Sequence, residues 1–199
     1  MATNCDVLIA RGIGADCTDP LVRGVEQRGV IMNYADVDFS AVEYDTANKH
    51  IVKTLALKAG KKGYEILQLG ATPFNGTQSE GVVGDYGNSF THTVQFVVLE
   101  TGPDVAEMVD ALVNGKFVVV LENNAKNLKK ASSPGDSAYQ IYGLEGGLRF
   151  SSGTAEKWND STKSGWLITL QETEAPSSAL YLFNTDYATT QTAFESLMS

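Results

Sequence analysis

A chain of 199 residues, 43% apolar and 20% charged, has the composition of one large soluble globular domain. It is long enough to bury roughly 70% of its unfolded surface without help from metals or disulfides. A net charge of −9 argues against tight nucleic-acid binding, which draws its affinity from Lys and Arg neutralising phosphates.

Cys5 and Cys17 are too few for a disulfide framework or a structural zinc site and are expected as free thiols in a reducing cytoplasm. No basic leader precedes an apolar stretch and no run approaches ~18 apolar residues, so neither a signal peptide nor a membrane anchor is expected.

In chain order, Val7-Leu8-Ile9-Ala10 is a short strand candidate, followed by a Gly-, Asp- and Pro-bearing loop over 11–28. Val30-Ile31-Met32 and Val37-Asp38-Phe39 are β-prone. Residues 51–57 and 64–69 flank Lys58-Ala59-Gly60-Lys61-Lys62-Gly63, and that arrangement predicts a hairpin. A polar, Gly-rich arm over 70–93 carries the turn dipeptide Asn75-Gly76. The segment also holds Val82, Val83, Tyr86 and Phe90, too much apolar surface for a linker, and reads as an extended hairpin or arm ordered by packing on a neighbour.

Val94-Gln95-Phe96-Val97-Val98-Leu99 is a strand, and a helix over about 101–114 follows. Thr101 and Asp104 stand in capping-box spacing and Pro103 falls in the first turn. Val105, Met108, Val109 and Leu112 form one apolar face, and Gly115 closes the helix. Phe117-Val118-Val119-Val120-Leu121 reads as a strand buried on both faces. Further strands are expected at 139–142, 148–150, 166–170 and 179–183. A short C-terminal helix over 186–197 turns Thr190, Ala193, Phe194 and Leu197 inward. The expected fold is mostly β, a β-sandwich or barrel with one flanking α-helix, in a single domain spanning 1–199.

Chemistry is sparse in this pattern. Gly12-Ile13-Gly14 follows a strand candidate, but Cys17 stands where a dinucleotide loop needs a third Gly or Ala, and Asp19-Pro20 interrupts the helix. His50 reads as a solvated turn residue and His92 as a strand residue facing solvent or a subunit contact. Neither finds triad partners in the sequence. Asp16 and Asp19 beside Cys17 disfavour its thiolate. Glu172, Glu174 and Asp186 near Trp166 and Tyr181 have the makings of a sugar cleft, although aromatics alternating with β-branched residues are core far more often. The sequons at Asn75 and Asn159 carry little weight without a secretory signal. Lys126, Lys129 and Lys130 form a small basic patch able to dock on an acidic neighbour. No catalytic residue, cofactor or metal is expected.

Two stretches carry a family likeness: Thr101-Gly102-Pro103-Asp104-Val105-Ala106-Glu107-Met108-Val109 leading into Phe117-Val118-Val119-Val120-Leu121, and Tyr142-Gly143-Leu144-Glu145-Gly146-Gly147-Leu148 with Gly165-Trp166-Leu167-Ile168-Thr169-Leu170. Together they resemble the tail tube proteins of tailed bacteriophages, with a flavour of virion proteins from phages of gut Bacteroidetes. The likeness covers about 94–197, and the first third of the chain matches no family pattern. It implies a non-enzymatic subunit, six to a ring, with rings stacked into a tube in the virion tail after assembly in the host cytoplasm. Its partners would be its own copies, other tail proteins, and genomic DNA passing through an acidic lumen without specific binding. Pro73, Phe74, Val82, Val83, Tyr86 and Phe90 are then the expected inter-subunit contacts, together with loop 11–28. The alternatives are another virion component (neck, tail terminator or head decoration) and a carbohydrate- or protein-binding β-sandwich.

Overall fold

The computed structural model describes residues 9, 12–14, 20–85 and 87–199. Cys5, Cys17, Tyr86 and most of the 7–10 strand candidate lie outside the described residues, and Ile9 itself lies in no strand. Among the described residues, eleven strands and two α-helices follow in the order β1 (Val25–Asn33), β2 (Glu43–Tyr44), β3 (Ile51–Thr54), β4 (Tyr64–Leu67), β5 (Gln78–Gly84), β6 (Gly87–Val98), α1 (Pro103–Asn114), β7 (Lys116–Asn123), β8 (Tyr139–Tyr142), β9 (Leu148–Thr154), β10 (Trp166–Ala175), β11 (Leu180–Leu182) and α2 (Tyr187–Ser196). The fold is mostly β with a flanking helix and a short C-terminal one. β1 begins inside the loop expected over 11–28, so that loop ends at Gly24.

All eleven strands belong to one mixed sheet of order β2-β3-β11-β8-β7-β9-β10-β6-β5, with β1 pairing β7 and β4 off this path. β7 is the spine and is buried on both faces as its unbroken apolar run predicts. Val118 and Val120 enter one core with Val30, Val52, Tyr139, Leu182 and Phe194. Phe117, Val119 and Leu121 enter a second core with Phe96, Val109, Leu148 and Ile168. Period-two alternation therefore serves two cores from a single strand.

Around the second core the pairings β4-β1-β7-β9-β10-β6 come back on themselves. Five successive antiparallel steps leave β4 and β6 running in opposite directions. Gln68, just past β4, then bridges them: its Nε2 donates to Val97 O at 2.8 Å and its Oε1 accepts from Val97 N at 2.9 Å. A side-chain amide thus stands where a barrel would have a ladder. The sheet is not closed, and a seam remains between β4 and β6.

Helix α1 buries Val105, Val109 and Leu112, as its spacing predicts, but leaves Met108 exposed at the seam. Its start differs from the predicted capping box. Gly102 is the N-cap with φ 146°, a conformation that L side chains rarely adopt, and no side chain caps the helix. α2 starts as expected, with Asp186 accepting from Thr189 N at 2.8 Å. Thr190, Phe194 and Leu197 are buried, and the Phe194 ring lies 4.8 Å from that of Tyr139.

The hairpin expected between 51–57 and 64–69 does not form. β3 pairs with β2 and, in parallel, with β11, whereas β4 pairs with β1. The linker is pinned elsewhere, by Lys58 N to Asp36 O at 2.9 Å and Gly63 N to Leu197 O at 2.6 Å. A Cβ on Gly63 would come within 2.5 Å of Val30 Cγ1, so this glycine serves close packing rather than a turn.

Between β2 and β3, Asp45 accepts from Lys53 Nζ at 2.7 Å and from the backbone of Ala47 and Asn48. The Lys53 hydrogen bond, with those two amides behind it, holds the Asp45 carboxyl down to about 2. A depressed carboxyl contributes stability above its unfolded value and loses it as pH falls through its folded one. The advantage of the native chain over Asp45→Asn should therefore be complete above 3.8 and gone below about 2. Urea titrations of both proteins across that window check this.

Candidate assembly interface

Within the arm over 70–93, residues from Gln78 on form an extended hairpin. The first part of the arm is not free surface: Phe74 is buried in the second core and Pro73 is half-buried. Thr77 N donates to Phe74 O at 3.1 Å, closing a turn with Gly76 at φ 97°. β5 then pairs with β6 from Gln78↔Thr93 to Gly84↔Gly87.

Two kinds of anchor hold the inner half of this hairpin. β6 pairs with β10 as far out as Phe90↔Ala175. His92, expected to face solvent or a subunit contact, is buried instead, because it shares the inward face of β6 with Val94 and Phe96. Its Nδ1 lies 2.8 Å from Ser79 Oγ and its Nε2 2.8 Å from Ser177 O. A carbonyl only accepts, so Nε2 carries a proton, and in the neutral ring Nδ1 accepts from the serine hydroxyl. The pair ties β5, β6 and the segment after β10 together. Neither Ser79 nor His92 lines the cavity of about 710 Å³ beside α1 or the one of about 510 Å³ beside Phe74.

Beyond Phe90 the support ends. Residues 87–89 pair only with β5, so a two-stranded ribbon projects on the order of 13 Å past the sheet. All seven residues of β5 are exposed; Val82 and Val83 lie on this ribbon, Val83 at 87%. The outer edge of β5 ends the sheet and has no strand beside it among the described residues. Phe90, half-buried, marks the base.

A second exposed feature escaped the sequence reading. Trp158, 94% exposed, sits on the loop between β9 and β10. Asn159 Oδ1 accepts from Ser161 N at 2.9 Å, and Ser164 Oγ donates to Lys157 O at 2.6 Å, so the ring is displayed by a tied loop. A tryptophan among polar neighbours, with no β-pattern around it, was the available signal.

The other candidates resolve into structure. Glu172 lies on the buried face of β10, two residues beyond Leu170. Its Oε2 accepts from Gly143 N at 3.1 Å, and its Oε1 from Gly147 N at 3.1 Å and from Gly146 N. Glu174 is exposed and Asp186 caps α2, so the three acids do not converge on Trp166 and Tyr181. His50 is exposed, with Nδ1 2.8 Å from Ala179 O.

The basic patch is largely neutralised within the chain. Lys126 lies 2.6 Å from Glu122 and 3.0 Å from Glu26, and Lys130 pairs with Asp136. Burial disfavours the Lys126 charge, but hydrogen bonds to those two glutamates outweigh it and raise its pKa. Among the described residues no cluster of three His, Cys, Asp or Glu is placed to hold a metal, and no helix is long and apolar enough to cross a membrane.

Comparison with family models, with curated proteins and with solved structures returned no match.

Proposed function

We propose that this chain is a self-assembling structural subunit of the tail-tube type, six copies to a ring and rings stacked into a conduit for DNA in a phage virion. One observation carries the reading: the β5–β6 ribbon projects beyond the sheet with exposed valines and an unpaired edge. An isolated two-stranded ribbon is marginal in water, and an exposed apolar edge is a template for pairing. A chain that keeps such an edge and anchors its base with Ser79, His92 and Ser177 has a partner for it, and copies of itself supply one. Head-to-tail contacts between unlike surfaces close into rings when the rotation closes. The β5 edge meeting a different edge of the next copy fits that geometry. The net charge of −9 suits a conduit whose wall must not retain DNA.

Negative-stain electron microscopy of the purified chain at increasing concentration tests this reading. Rings and tubes of uniform diameter are the expected result. A chain that stays monodisperse and monomeric at every concentration would overturn it.

A further inference from the structure

Trp158 is the most exposed large apolar side chain among the described residues, and its loop holds it out without slack. Asn159 N donates to Glu156 O at 3.2 Å and Gly165 N to Thr162 O at 2.8 Å, and Thr162 itself is buried. The turn on which the ring stands is therefore fixed before any contact forms. A pre-ordered indole is a strong anchor for a protein contact, because it buries roughly 150–250 Å² with little entropy to lose. The same chain offers a receptor of matching character. The cavity of about 710 Å³ beside α1 is floored by Ile66, Phe96 and Phe117, with Leu69, Leu99 and Met108 exposed around its mouth. Gln68 already spans β4 and β6, so what stays open there takes side chains rather than a strand.

We infer that Trp158 of one copy seats in this cavity of the next; the inference rests on the self-assembly reading above. Three observations select that occupant. First, the mouth is acidic. Glu100 lines it, Asp104 and Glu107 stand within the turn before Met108, and residues 99–114 include neither Lys nor Arg. Glu100 and Lys157, the neighbour of Trp158, each lack an ion pair among the described residues. The contact thus joins two unpaired opposite charges beside an apolar centre. Second, the other exposed apolar projections fit worse. Val82 and Val83 stand on a ribbon whose charges, Glu80 and Asp85, repeat the sign of the mouth. Leu128 stands near Lys126 and Lys130, whose charges are held by Glu122, Glu26 and Asp136. Third, Trp158 does not line its own copy's cavity, and the two lie on different sides of β6. The Trp158 loop joins β9 to β10, which pairs along one edge of β6, and the cavity opens at the seam on the other. Unlike surfaces on different sides make a head-to-tail contact, the kind that closes into a ring.

The test places the photo-crosslinker p-benzoylphenylalanine at Trp158 in the full chain, where one exposed aromatic replaces another. Copies labelled with ¹⁵N are mixed one to one with unlabelled copies, irradiated at assembly concentration and mapped by mass spectrometry. Links from position 158 to residues 64–69, 97–100 or 108–112 in mixed-isotope pairs are expected. Ala111→Trp fills the cavity from an exposed position on α1 and should lower their yield about tenfold, the loss typical of a blocked anchor. Glu100→Lys, also at an exposed position, should lower it about threefold, the scale of one surface ion pair. Mixed-isotope links to 78–90 or 126–131 instead, links confined to one isotope, no links, or a yield that Ala111→Trp leaves unchanged overturn the assignment. Electron microscopy of the same sample separates the two readings. Tubes without the expected links leave the tube reading standing, whereas the links without tubes sustain the Trp158 contact and remove the tube.

Discussion

A chain in which residues 82–89 are replaced by a two-residue turn joining Gly81 to Phe90 is expected to fold normally and to stop assembling. Gly81 and Phe90 are register partners, so the shortened ribbon keeps its ladder. The Ser79–His92–Ser177 link and the Phe90↔Ala175 pairing lie inside the cut. Among the described residues nothing buried is removed: each one in the excised stretch is exposed or, at Ser89, half-buried. The melting temperature should stay within about 3 °C of the intact chain, the shift that about 1 kcal/mol produces at this size. Assembled mass in sedimentation velocity should fall by at least about tenfold, since the cut removes the exposed valines at the centre of the proposed contact. The position of the cut matters. A deletion of 72–87 would also take out Phe74, which is buried in the second core, and Thr77, whose Oγ1 accepts from Gln95 N at 3.2 Å. Loss of assembly in that variant would report on folding as much as on contact.

The second large effect is expected at Glu172. Its buried side chain is the common acceptor for three backbone N–H groups in the loop between β8 and β9, two of them on the buried Gly143 and Gly147 and one on the exposed Gly146. A Cβ on Gly146 would fall 2.8 Å from Glu172 Oε1, so the loop and the carboxyl fit with no spare room. Glu172→Ala strands those donors, and each buried unpaired group costs about 1–3 kcal/mol. Partial rescue by water brings the expected total to about 3–5 kcal/mol, a large share of a domain's stability of roughly 5–15 kcal/mol. Glu172→Gln keeps one oxygen for Gly146 and Gly147 but sets an NH₂ against Gly143 N–H, so about 2 kcal/mol is expected. Urea unfolding with an unchanged m-value reads both. A loss below about 1 kcal/mol in the alanine variant would mean that the loop holds without the carboxyl.

Most of the architecture was legible in the residues, and the misses have physical causes. An unbroken apolar run announced β7, a run broken only by Gln95 announced the second half of β6, and the spacing of Val105, Val109 and Leu112 announced α1. The β3–β4 hairpin failed because two adjacent β-prone runs do not say which partners they choose. Contacts to Asp36 and Leu197, distant in sequence, decide that. The capping box failed because Gly102 offers a backbone conformation that removes Thr101 from the cap. His92 and Glu172 were misread for one shared reason. Each continues the inward face of its strand, His92 with Val94 and Phe96, Glu172 with Ile168 and Leu170, but polarity was weighed above period. The arm over 70–93 was visible from its apolar content, and Val82 and Val83 are displayed on the ribbon. The seam was not legible at all, since it arises from the sheet failing to close between strands about thirty residues apart in the chain.

Hydrogen–deuterium exchange of the intact chain, dilute and assembled, tests the central claim most directly. If the outer edge of β5 is the surface through which copies join, backbone amides within Gln78–Gly84 that exchange freely in the monomer should become protected on assembly, while amides of β7, at the centre of the fold, stay slow in both states. Assembly with β5 exchanging as fast as in the monomer would contradict the account.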